Sequence, residues 1–301
     1  MCTTCGCGDT ELVPVELHDK ILAGNDRQAA HNREHFLGHG VLALNLMGSP
    51  GAGKTAVLEA TSRFAEGRLK LSAVSADLAT DNDARRLEKA GIPSKAITTF
   101  QACHLDAAMV HHALDGFPWD RSDVFFIENV GNLVCPAIYD LGQAANVVAL
   151  SVTEGEDKPI KYPVMFQKAD LVLVTKCDLV PHLDIDLARI DDAISRVMPN
   201  PKVLRVSART GEGLAEWFAW LEEQRRPIVQ GKGAHMHGHA HSHEHTHSHE
   251  HTHADGTVHS HPHAHVHEHP HEHGEAKAEE HQHEREAGHA HDPAEKHEHR
   301  H

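Results

Sequence analysis

A glycine-rich run at residues 48–55, GSPGAGKT, has the residue types that bind phosphate. It fits the pattern G-x-x-x-x-G-K-[ST] and lies between an apolar stretch at 41–47 and a helical pattern, as such a loop must. Backbone N–H groups of the glycines can converge on phosphate oxygens, and the positive end of the following helix adds to the attraction. Lys54 is predicted to reach the β- and γ-phosphates, and the Thr55 hydroxyl to ligate Mg²⁺. The nucleotide-binding residues predicted from this run are Gly48, Ser49, Gly51, Ala52, Gly53, Lys54 and Thr55.

Two polar segments further along the chain favour guanine over adenine as the base. Residues 175–178, TKCD, follow an apolar stretch and resemble the N-K-x-D motif of GTPases, with Thr175 in place of Asn. The Asp178 carboxylate can accept hydrogen bonds from guanine N1–H and the exocyclic amine, a donor pair that adenine lacks. Residues 207–209, SAR, resemble the S-A-K element that meets the base from the other side. GTP is therefore favoured over ATP, and the predicted base contacts are Lys176, Asp178, Ser207 and Ala208.

Acidic and glycine residues at two strand ends match the metal and γ-phosphate positions of a nucleotide hydrolase. Residues 128–131, ENVG, resemble the D-x-x-G switch. Glu128 is thus predicted to hold the Mg²⁺ shell or a nucleophilic water, and the Gly131 N–H to sense the γ-phosphate. Asp77 ends another apolar stretch and is the expected second acidic group beside the metal; the alternative for both carboxylates is a helix cap. The predicted catalytic residues are Lys54, Thr55, Asp77, Glu128 and Gly131, with Thr55 and Asp77 as magnesium ligands.

Three of the six cysteines, Cys2, Cys5 and Cys7, lie within the first seven residues. No apolar stretch typical of a secretory signal is found near them, so we expect a cytoplasmic location, where thiols stay reduced and metal binding is favoured over disulfides. Loss of Met1 would free the Cys2 amine. With three thiolates it makes a planar N/S₃ set, which suits Ni²⁺ better than Zn²⁺ with its tetrahedral preference. A fortuitous zinc site or incidental thiols remain the alternative.

A second set of sulfur and imidazole ligands lies in the body of the chain. Cys103 and His104 are adjacent, and Cys135 follows Gly131 by four residues. This borderline-soft set suits Zn²⁺ or Ni²⁺, although a lone buried cysteine is more often a small core residue. If the γ-phosphate fixes Gly131, it also repositions Cys135, so nucleotide state and metal affinity would be coupled.

The C-terminal segment 235–301 holds 25 of the 33 histidines and contains no Leu, Ile, Phe, Tyr or Trp. Without large apolar side chains it cannot offset the entropy of ordering its backbone, about 1–2 kcal/mol per residue, and it is predicted to be disordered. Alternating His-x-His places several exchangeable imidazoles near one ion, which indicates storage of Ni²⁺. A solvating linker is the alternative.

These chemical groups need a scaffold that alternates strands and helices. Helical periodicity is clearest at 187–197 and 214–221. Strands that are apolar throughout and separated by helices indicate a parallel sheet covered on both faces. The predicted fold class is α/β: a P-loop NTPase with a doubly wound, mostly parallel sheet, helices on both faces and a disordered His-rich tail. The predicted strands are 41–47, 71–76, 123–127, 146–152, 170–175 and 202–206, and a helix, weakened by Gly24 and Asn25, is predicted over 15–37.

Charge and hydropathy exclude two classes of partner. The formal net charge is −16, and the sequence shows no basic stripe that could neutralise phosphates. No nucleic-acid partner is therefore expected. The longest apolar runs are far shorter than the roughly 20 residues of a membrane span. The predicted domains are a Cys motif at 1–9, a helical arm at 10–38, a GTPase domain at 39–231 and a metal-binding tail at 232–301.

Six stretches match the motifs of one known family. They are MCTTCGCG at 1–8, GSPGAGKT at 48–55, CHLDA at 103–107, FIENVGNLVCPA at 126–137, LSVTEGEDKP at 150–159 and SARTGEG at 207–213. Together they resemble the HypB family, GTPases that help to insert nickel into [NiFe]-hydrogenase. The resemblance implies a SIMIBI-class P-loop GTPase that uses GTP and Mg²⁺ and binds Ni²⁺ at the Cys tip and Ni²⁺ or Zn²⁺ at Cys103, His104 and Cys135. It also implies a nucleotide- or metal-dependent homodimer, a HypA-type nickel-binding partner and the hydrogenase large-subunit precursor as client. Slow turnover is expected because no arginine finger can be identified in the sequence.

Two features depart from that family. Its histidine-rich segment usually precedes the GTPase domain but here follows it, and Thr175 replaces the commoner Asn.

A urease-type nickel GTPase is an alternative function, but it would carry a C-P-H run, which is absent from this sequence. Two functions of a different kind are a nickel or zinc store, in which the tail is the active part, and a small-molecule kinase, which TKCD disfavours. Whether Asp157 or Lys158 contacts a nucleotide across a dimer stays open.

Overall fold

Seven parallel strands form the sheet that carries most of the predicted site residues. The computed structural model describes residues 15–77, 80–99, 102–232, 240–252 and 258–270. The strands of the sheet are β1 (Leu42–Met47), β2 (Leu71–Asp77), β3 (Ser94–Thr98), β4 (Val124–Glu128), β5 (Ala145–Ser151), β6 (Leu171–Thr175) and β7 (Val203–Arg205). Their order across the sheet is β3-β2-β4-β1-β5-β6-β7, so β1 is central, with β4 and β5 beside it.

Helices connect the strands and cover both faces of the sheet. They are α1 (Val15–His39), α2 (Lys54–Ala65), α3 (Asn82–Lys89), α4 (Ala107–Leu114), α5 (Lys158–Lys161), α6 (Pro163–Gln167), α7 (Leu187–Val197) and α8 (Leu214–Lys232). Short 3₁₀ turns add Trp119–Arg121, Cys135–Ala137, Val152–Glu154 and Cys177–His182. Among the residues that the structure describes, no helix combines the length and the apolar character needed to cross a membrane.

The side chains of β1 show how the strands divide the core into layers. Leu44 and Leu46 point to the side covered by α2 and α8, where Trp217 is fully enclosed. Ala43 points to the opposite side, where Phe36 of α1 is buried. This alternation follows from the two-residue period of a strand. Both faces are apolar because both are covered, which confirms the predicted doubly wound α/β fold.

Six of the seven strands coincide with the predicted apolar stretches to within one or two residues. The exception is β3, SKAIT, which the apolar pattern did not predict. It pairs with β2 at one edge of the sheet, and its side chains are half-buried or exposed. An edge strand of this kind needs no continuous apolar run, so the criterion that found the other strands does not apply to it.

Helix α1 continues through Gly24 and Asn25, which were expected to weaken it. The Asn25 carboxamide donates to Asp140 O at 2.8 Å and accepts from Ala107 N at 2.9 Å. Arg33 adds a bidentate contact to the Asp140 carboxylate at 2.7 and 2.8 Å. Tertiary hydrogen bonds thus compensate for the low helix propensity of this stretch.

The second structural unit of the chain lies in the His-rich tail. Its strands β8 (Ala240–Thr252) and β9 (Val258–Pro270) pair antiparallel, and the register sets His241 opposite His269 and His251 opposite His259. An isolated two-stranded hairpin is only marginally stable in water. The tail was predicted to be disordered because it lacks large apolar side chains, and this pair indeed contains no Leu, Ile, Phe, Tyr or Trp that could stabilise it. The Cys motif at 1–9 lies outside the described residues.

Gly142, in the loop before β5, packs directly against the backbone of α1. The variant Gly142→Ala should lower the free energy of unfolding by about 1–3 kcal/mol. The φ of Gly142 is +87°, and an added Cβ would lie 2.6 Å from both Ala29 O and Asn32 Cβ. Chemical denaturation measures the loss. Gly24→Ala is the matched control on α1: an added Cβ meets nothing within 4 Å there, so the variant should gain about 0.5–1 kcal/mol. A stable Gly142→Ala protein would contradict this packing.

Candidate nucleotide and metal site

The glycine-rich loop joins the end of β1 to the start of α2, as predicted. Gly48 packs so closely on β5 that an added Cβ would lie 2.5 Å from Ala149 O. Gly53, just before the helix, has φ +90°, a conformation that costs glycine little. The loop therefore presents its backbone toward the carboxyl end of the sheet, next to a helix N-terminus, which is the geometry of an anion site.

Lys54 extends back along this loop. Its ammonium group donates to Gly48 O at 3.1 Å and to Ser49 O at 3.2 Å. Burial lowers the pKa of Lys54, and the nearby carboxylates of Glu128, Asp83 and Glu154 oppose that shift. A buried ammonium bonded to neutral carbonyls gains when phosphate oxygens replace them, because a charged acceptor forms the stronger hydrogen bond.

Two carboxylates converge on the Thr55 hydroxyl. Thr55 Oγ1 lies 2.6 Å from Glu128 Oε1 and 2.9 Å from Asp83 Oδ1, so its single proton faces two acceptors. Ser75 Oγ donates to the other oxygen of Glu128 at 3.0 Å. Burial raises the pKa of Glu128, and Asp83 adds to the shift, while hydrogen bonds from Thr55 and Ser75 and the charge of Lys54 oppose it. A hydroxyl with two carboxylate oxygens is a ligand set that fits Mg²⁺.

Asp83 was not among the predicted ligands, whereas Asp77 was. The Asp77 carboxylate accepts from Thr80 N at 2.9 Å, in the loop after β2. Asp83 lies in the first turn of α3, which brings its side chain to Thr55. The sequence signal that could have found it is the pair of acidic residues, Asp81 and Asp83, just before and inside a helix that follows a strand end.

The predicted base-binding segments meet at the carboxyl ends of β6 and β7. Ser207 Oγ donates to Asp178 Oδ1 at 2.6 Å and accepts from Thr210 N at 3.1 Å. Thr175 Oγ1 donates to Ala52 O at 2.6 Å, and the Lys176 ammonium to Gly51 O at 2.7 Å. TKCD is thus tied both to the phosphate loop and to SAR. Of the other predicted contacts, the carbonyl of Ala208 accepts from Arg63 at 3.2 Å.

Glu154 is a further residue at the phosphate loop that the sequence motifs did not single out. It lies in the LSVTEGEDKP stretch, and its Oε2 accepts from Ser49 Oγ at 2.5 Å. Its Oε1 accepts from Ser151 N, completing a capping box at the end of β5. Lys158 Nζ lies 3.5 Å from the same carboxylate, which brings this lysine close to the loop. Asp157 forms its ion pair with Lys161 instead, at 2.6 Å.

The segment after β4 lies against the phosphate loop. An added Cβ at Gly131 would lie 2.8 Å from Pro50 Cγ, so the backbone there is in direct contact with the loop. Asn132 forms an isolated antiparallel bridge with Gly48. A conformational change of the phosphate loop would therefore displace residues 131–132, which are in contact with it.

A buried carboxamide joins this segment to the loop that precedes α4. Asn129 Oδ1 accepts from Val130 N at 2.9 Å and from Leu105 N at 3.3 Å. Its Nδ2 donates to Asn45 Oδ1 of the central strand at 3.1 Å. The two loops that carry the predicted thiol and imidazole ligands are thus attached to one side chain.

Cys103, His104 and Cys135 lie together, with their ligand atoms within 4.8 Å of one another. The two sulfur atoms are 2.9 Å apart, beyond the roughly 2.05 Å of a disulfide bond. His104 Nδ1 is 3.7 Å from Cys103 Sγ, and its ring stacks on Tyr139 with centroids 3.9 Å apart. Burial lowers the pKa of His104, while Asp106 opposes the shift. Two thiols and an imidazole held in this way fit a borderline-soft divalent cation.

Fold and site together define a P-loop nucleotide-binding domain with a thiol and imidazole cluster beside the segment that follows β4. The family model of the CobW/HypB/UreG nucleotide-binding domain matches residues 42–205, which is more than half of the chain. Hydrogenase maturation factor HypB of Azotobacter vinelandii is 50% identical over 220 residues, covering 73% of this chain and 72% of that protein. Hydrogenase/urease maturation factor HypB of Helicobacter pylori is 40% identical over 220 residues, covering 72% and 90% respectively.

A solved structure agrees with these relatives. The crystal structure of HypB from Helicobacter pylori in complex with nickel superposes with a TM-score of 0.65 at 40% identity, covering 68% of this chain and 96% of that one. The chain belongs to the HypB family of hydrogenase maturation factors.

Glu128→Gln should raise the thermal stability of the nucleotide-free protein at pH 7.5. Because burial raises the pKa of Glu128, the folded protein holds this proton more tightly than the unfolded chain. That contribution is present at low pH and is lost as pH rises from about 4.3 through the raised pKa of the folded state. A gain of 1 kcal/mol would shift the melting temperature by about 2–4 °C, and the gain should shrink as pH is lowered toward 5.

Glu222→Gln, an exposed carboxylate on α8, is the control and should show no such pH-dependent gain. Differential scanning calorimetry at several pH values measures both variants. A Glu128→Gln protein less stable than the parent at pH 7.5 would contradict the assigned burial of an ionisable group.

Proposed function

We propose that this chain is a GTP-hydrolysing nickel metallochaperone that delivers Ni²⁺ to the precursor of the [NiFe]-hydrogenase large subunit. The observation that carries the proposal is the short connection between phosphate loop and thiols: Asn132, bridged to Gly48, precedes Cys135 by three residues. The names of relatives, a hydrogenase maturation factor and a HypB in complex with nickel, support the same assignment.

The proposed reaction converts GTP and water to GDP and phosphate. Lys54 would exchange its carbonyl partners for β- and γ-phosphate oxygens, and the Gly131 N–H would donate to the γ-phosphate. Thr55, Asp83 and Glu128 fit a Mg²⁺ site, and Asp77 remains a proposed ligand at the adjacent strand end. Mg²⁺, when bound, neutralises charge that develops between the β- and γ-phosphates. Slow turnover is expected because the sequence offers no identifiable arginine finger.

The base is proposed to be guanine. Ser207 orients one oxygen of Asp178 at 2.6 Å, which restricts the rotation of the carboxylate. Lys176 crosses to the phosphate loop and would lie along one side of the nucleotide. A carboxylate at this place can accept hydrogen bonds from both guanine donors, N1–H and the exocyclic amine, whereas adenine offers no such donor pair.

Coupling of nucleotide to metal is the core of the proposed mechanism. A γ-phosphate bound by Gly131 would shift the segment that packs on Pro50 and ends at Cys135. Asn129 links the same segment to Leu105, next to His104. Nucleotide state would then change the geometry of the thiol and imidazole cluster, and by linkage the metal would change nucleotide affinity equally.

Further parts of the proposal rest on sequence. The Cys tip would receive or donate Ni²⁺, and the tail would hold a reserve of Ni²⁺. Zn²⁺ would compete at Cys103, His104 and Cys135. A HypA-type protein as partner, a nucleotide- or metal-dependent homodimer and a cytoplasmic location complete the proposal.

Asp178→Asn should weaken GTP binding about ten- to one-hundred-fold, because an amide cannot accept both guanine donors. Xanthosine triphosphate should bind the variant better than the parent, since its 2-carbonyl can accept from the new amide. Competition against a fluorescent GTP analogue measures both. Asp184→Asn, an exposed neighbour, is the control and should bind as the parent does. Unchanged GTP affinity of Asp178→Asn would contradict the base assignment.

Nickel affinity should differ at least about five-fold between the GDP-bound protein and the protein with a non-hydrolysable GTP analogue. The measurement uses a chain ending at residue 232, which retains all the core clusters of the described residues and removes competing tail histidines. Isothermal titration with Ni²⁺ gives the affinities. Cys103→Ala/Cys135→Ala should abolish the difference and leave binding at the Cys tip.

Equal affinity in the two nucleotide states would contradict the coupling. Delivery would then have to depend on the Cys tip and a partner. A difference that survives in Cys103→Ala/Cys135→Ala would place the nucleotide-sensitive site elsewhere, with the same consequence for the thiol cluster.

A further inference from the structure

Three histidines from two helices form a second cluster, apart from the thiols. His31 and His35 belong to α1 and His111 to α4, and one nitrogen of each lies within 4.8 Å of the others. The ring centroids are 4.2 Å apart for His31 and His35, 5.2 Å for His31 and His111, and 5.7 Å for His35 and His111. Three nitrogens around one divalent cation lie roughly 3–4 Å apart, as follows from metal–nitrogen bonds of about 2.0–2.1 Å. Small rotations of the imidazole rings would bring the three nitrogens to these separations.

The spacing along α1 is the one that binds metals on helices. Residues four apart lie on one face of a helix, one turn from each other. This is how two histidines of an H-x-x-x-H run share a zinc ion. The third ligand is supplied by α4, which is attached to α1 by the hydrogen bonds of Asn25 and Asn32 to the backbone of Ala107.

Asn32 orients the third imidazole. It is fully buried, and its Nδ2 donates to Ala107 O at 2.8 Å and to Leu141 O at 3.1 Å, which identifies Oδ1 as the acceptor. His111 Nδ1 lies 3.1 Å from that oxygen and must carry the proton. The lone pair of His111 is then on Nε2. Metal-binding histidines are held in this way by a hydrogen bond from their other nitrogen.

The cluster is accessible from solvent, and the pKa of His111 is lowered. His31 is exposed, and His35 and His111 are half-buried, so an ion can enter from solvent. Burial lowers the pKa of His111, the neighbouring His31 and His112 lower it further, and Asp115 opposes them. Neutral imidazole is the form that binds metal.

We propose that His31, His35 and His111 form a binding site for one borderline divalent cation, Ni²⁺ or Zn²⁺, with water in the remaining positions. Imidazoles select these ions over Mg²⁺. The site requires neither the nucleotide nor the thiols, and it therefore stands independently of the proposed GTPase cycle. An ion held there would join α1 to α4, the helix that begins directly after the Cys103 loop.

The test is a Ni²⁺ titration of the chain ending at residue 232, followed by calorimetry and by tryptophan fluorescence, to which Trp119, Trp217 and Trp220 contribute. The indole of Trp119 stacks against His35 with ring centroids 6.5 Å apart, so Ni²⁺ in the cluster should quench its emission. The double variant His31→Gln/His35→Gln should bind one Ni²⁺ fewer per chain, or bind that ion at least about ten-fold more weakly, and lose the quenching. Glutamine keeps helix propensity and polarity at both positions.

His112→Gln is the matched control, because this histidine is adjacent to His111 but its side chain is 90% exposed and lies outside the cluster. It should behave as the parent. Fluorescence of the full chain repeats the comparison with the tail present, since Trp119 reports on ions near α1. The proposal is overturned if the double variant keeps stoichiometry, affinity and quenching, or if the parent shows no quenching by Ni²⁺. It is also overturned if His112→Gln loses as much as the double variant.

Discussion

The carboxamide of Asn129 is buried at the carboxyl end of β4 and satisfies partners in three places at once. It donates to Asn45 in the central strand and accepts from the backbone of Val130 and Leu105. Leaving one of these buried groups without its hydrogen bond would cost about 1–3 kcal/mol. The hydrogen bonds of this one side chain thus hold both loops that carry the thiols to the sheet. The loop that carries Cys103 and His104 and the segment that leads to Cys135 both depend on this junction for their position against the central strand.

Much of the fold could be predicted, because its strands are covered on both faces and are therefore apolar in almost every residue. β3 was not predicted because it is an edge strand whose side chains are only half-buried or exposed, so it does not have a continuous apolar run. Helix α1 illustrates a different limit. Its hydrogen bonds run to Asp140 and Ala107, 115 and 82 residues away from Asn25, and no local pattern records contacts over such distances.

The candidate site divides in the same way. The phosphate loop, TKCD and SAR could be predicted because each is a short motif with its chemistry in consecutive residues. Cys103 and Cys135 are 32 residues apart, and they were grouped only because CHLDA and FIENVGNLVCPA match motifs of the same family. Asp83 and Glu154 were missed because they reach the loop from a helix and a capping box, through contacts that only the tertiary structure creates. The histidine cluster is an intermediate case: the spacing of His31 and His35 is visible in the sequence, whereas His111 joins them through the docking of α4 on α1.

The closeness of the two thiols has a consequence for redox chemistry. Cys103 Sγ and Cys135 Sγ, 2.9 Å apart, need to approach by only about 0.9 Å to form a disulfide. An oxidant that removed two electrons and two protons from this pair would withdraw both soft ligands in one step. Thiolates engaged with a cation are no longer available for that reaction. A divalent cation bound by Cys103, His104 and Cys135 would therefore protect both thiols from oxidation.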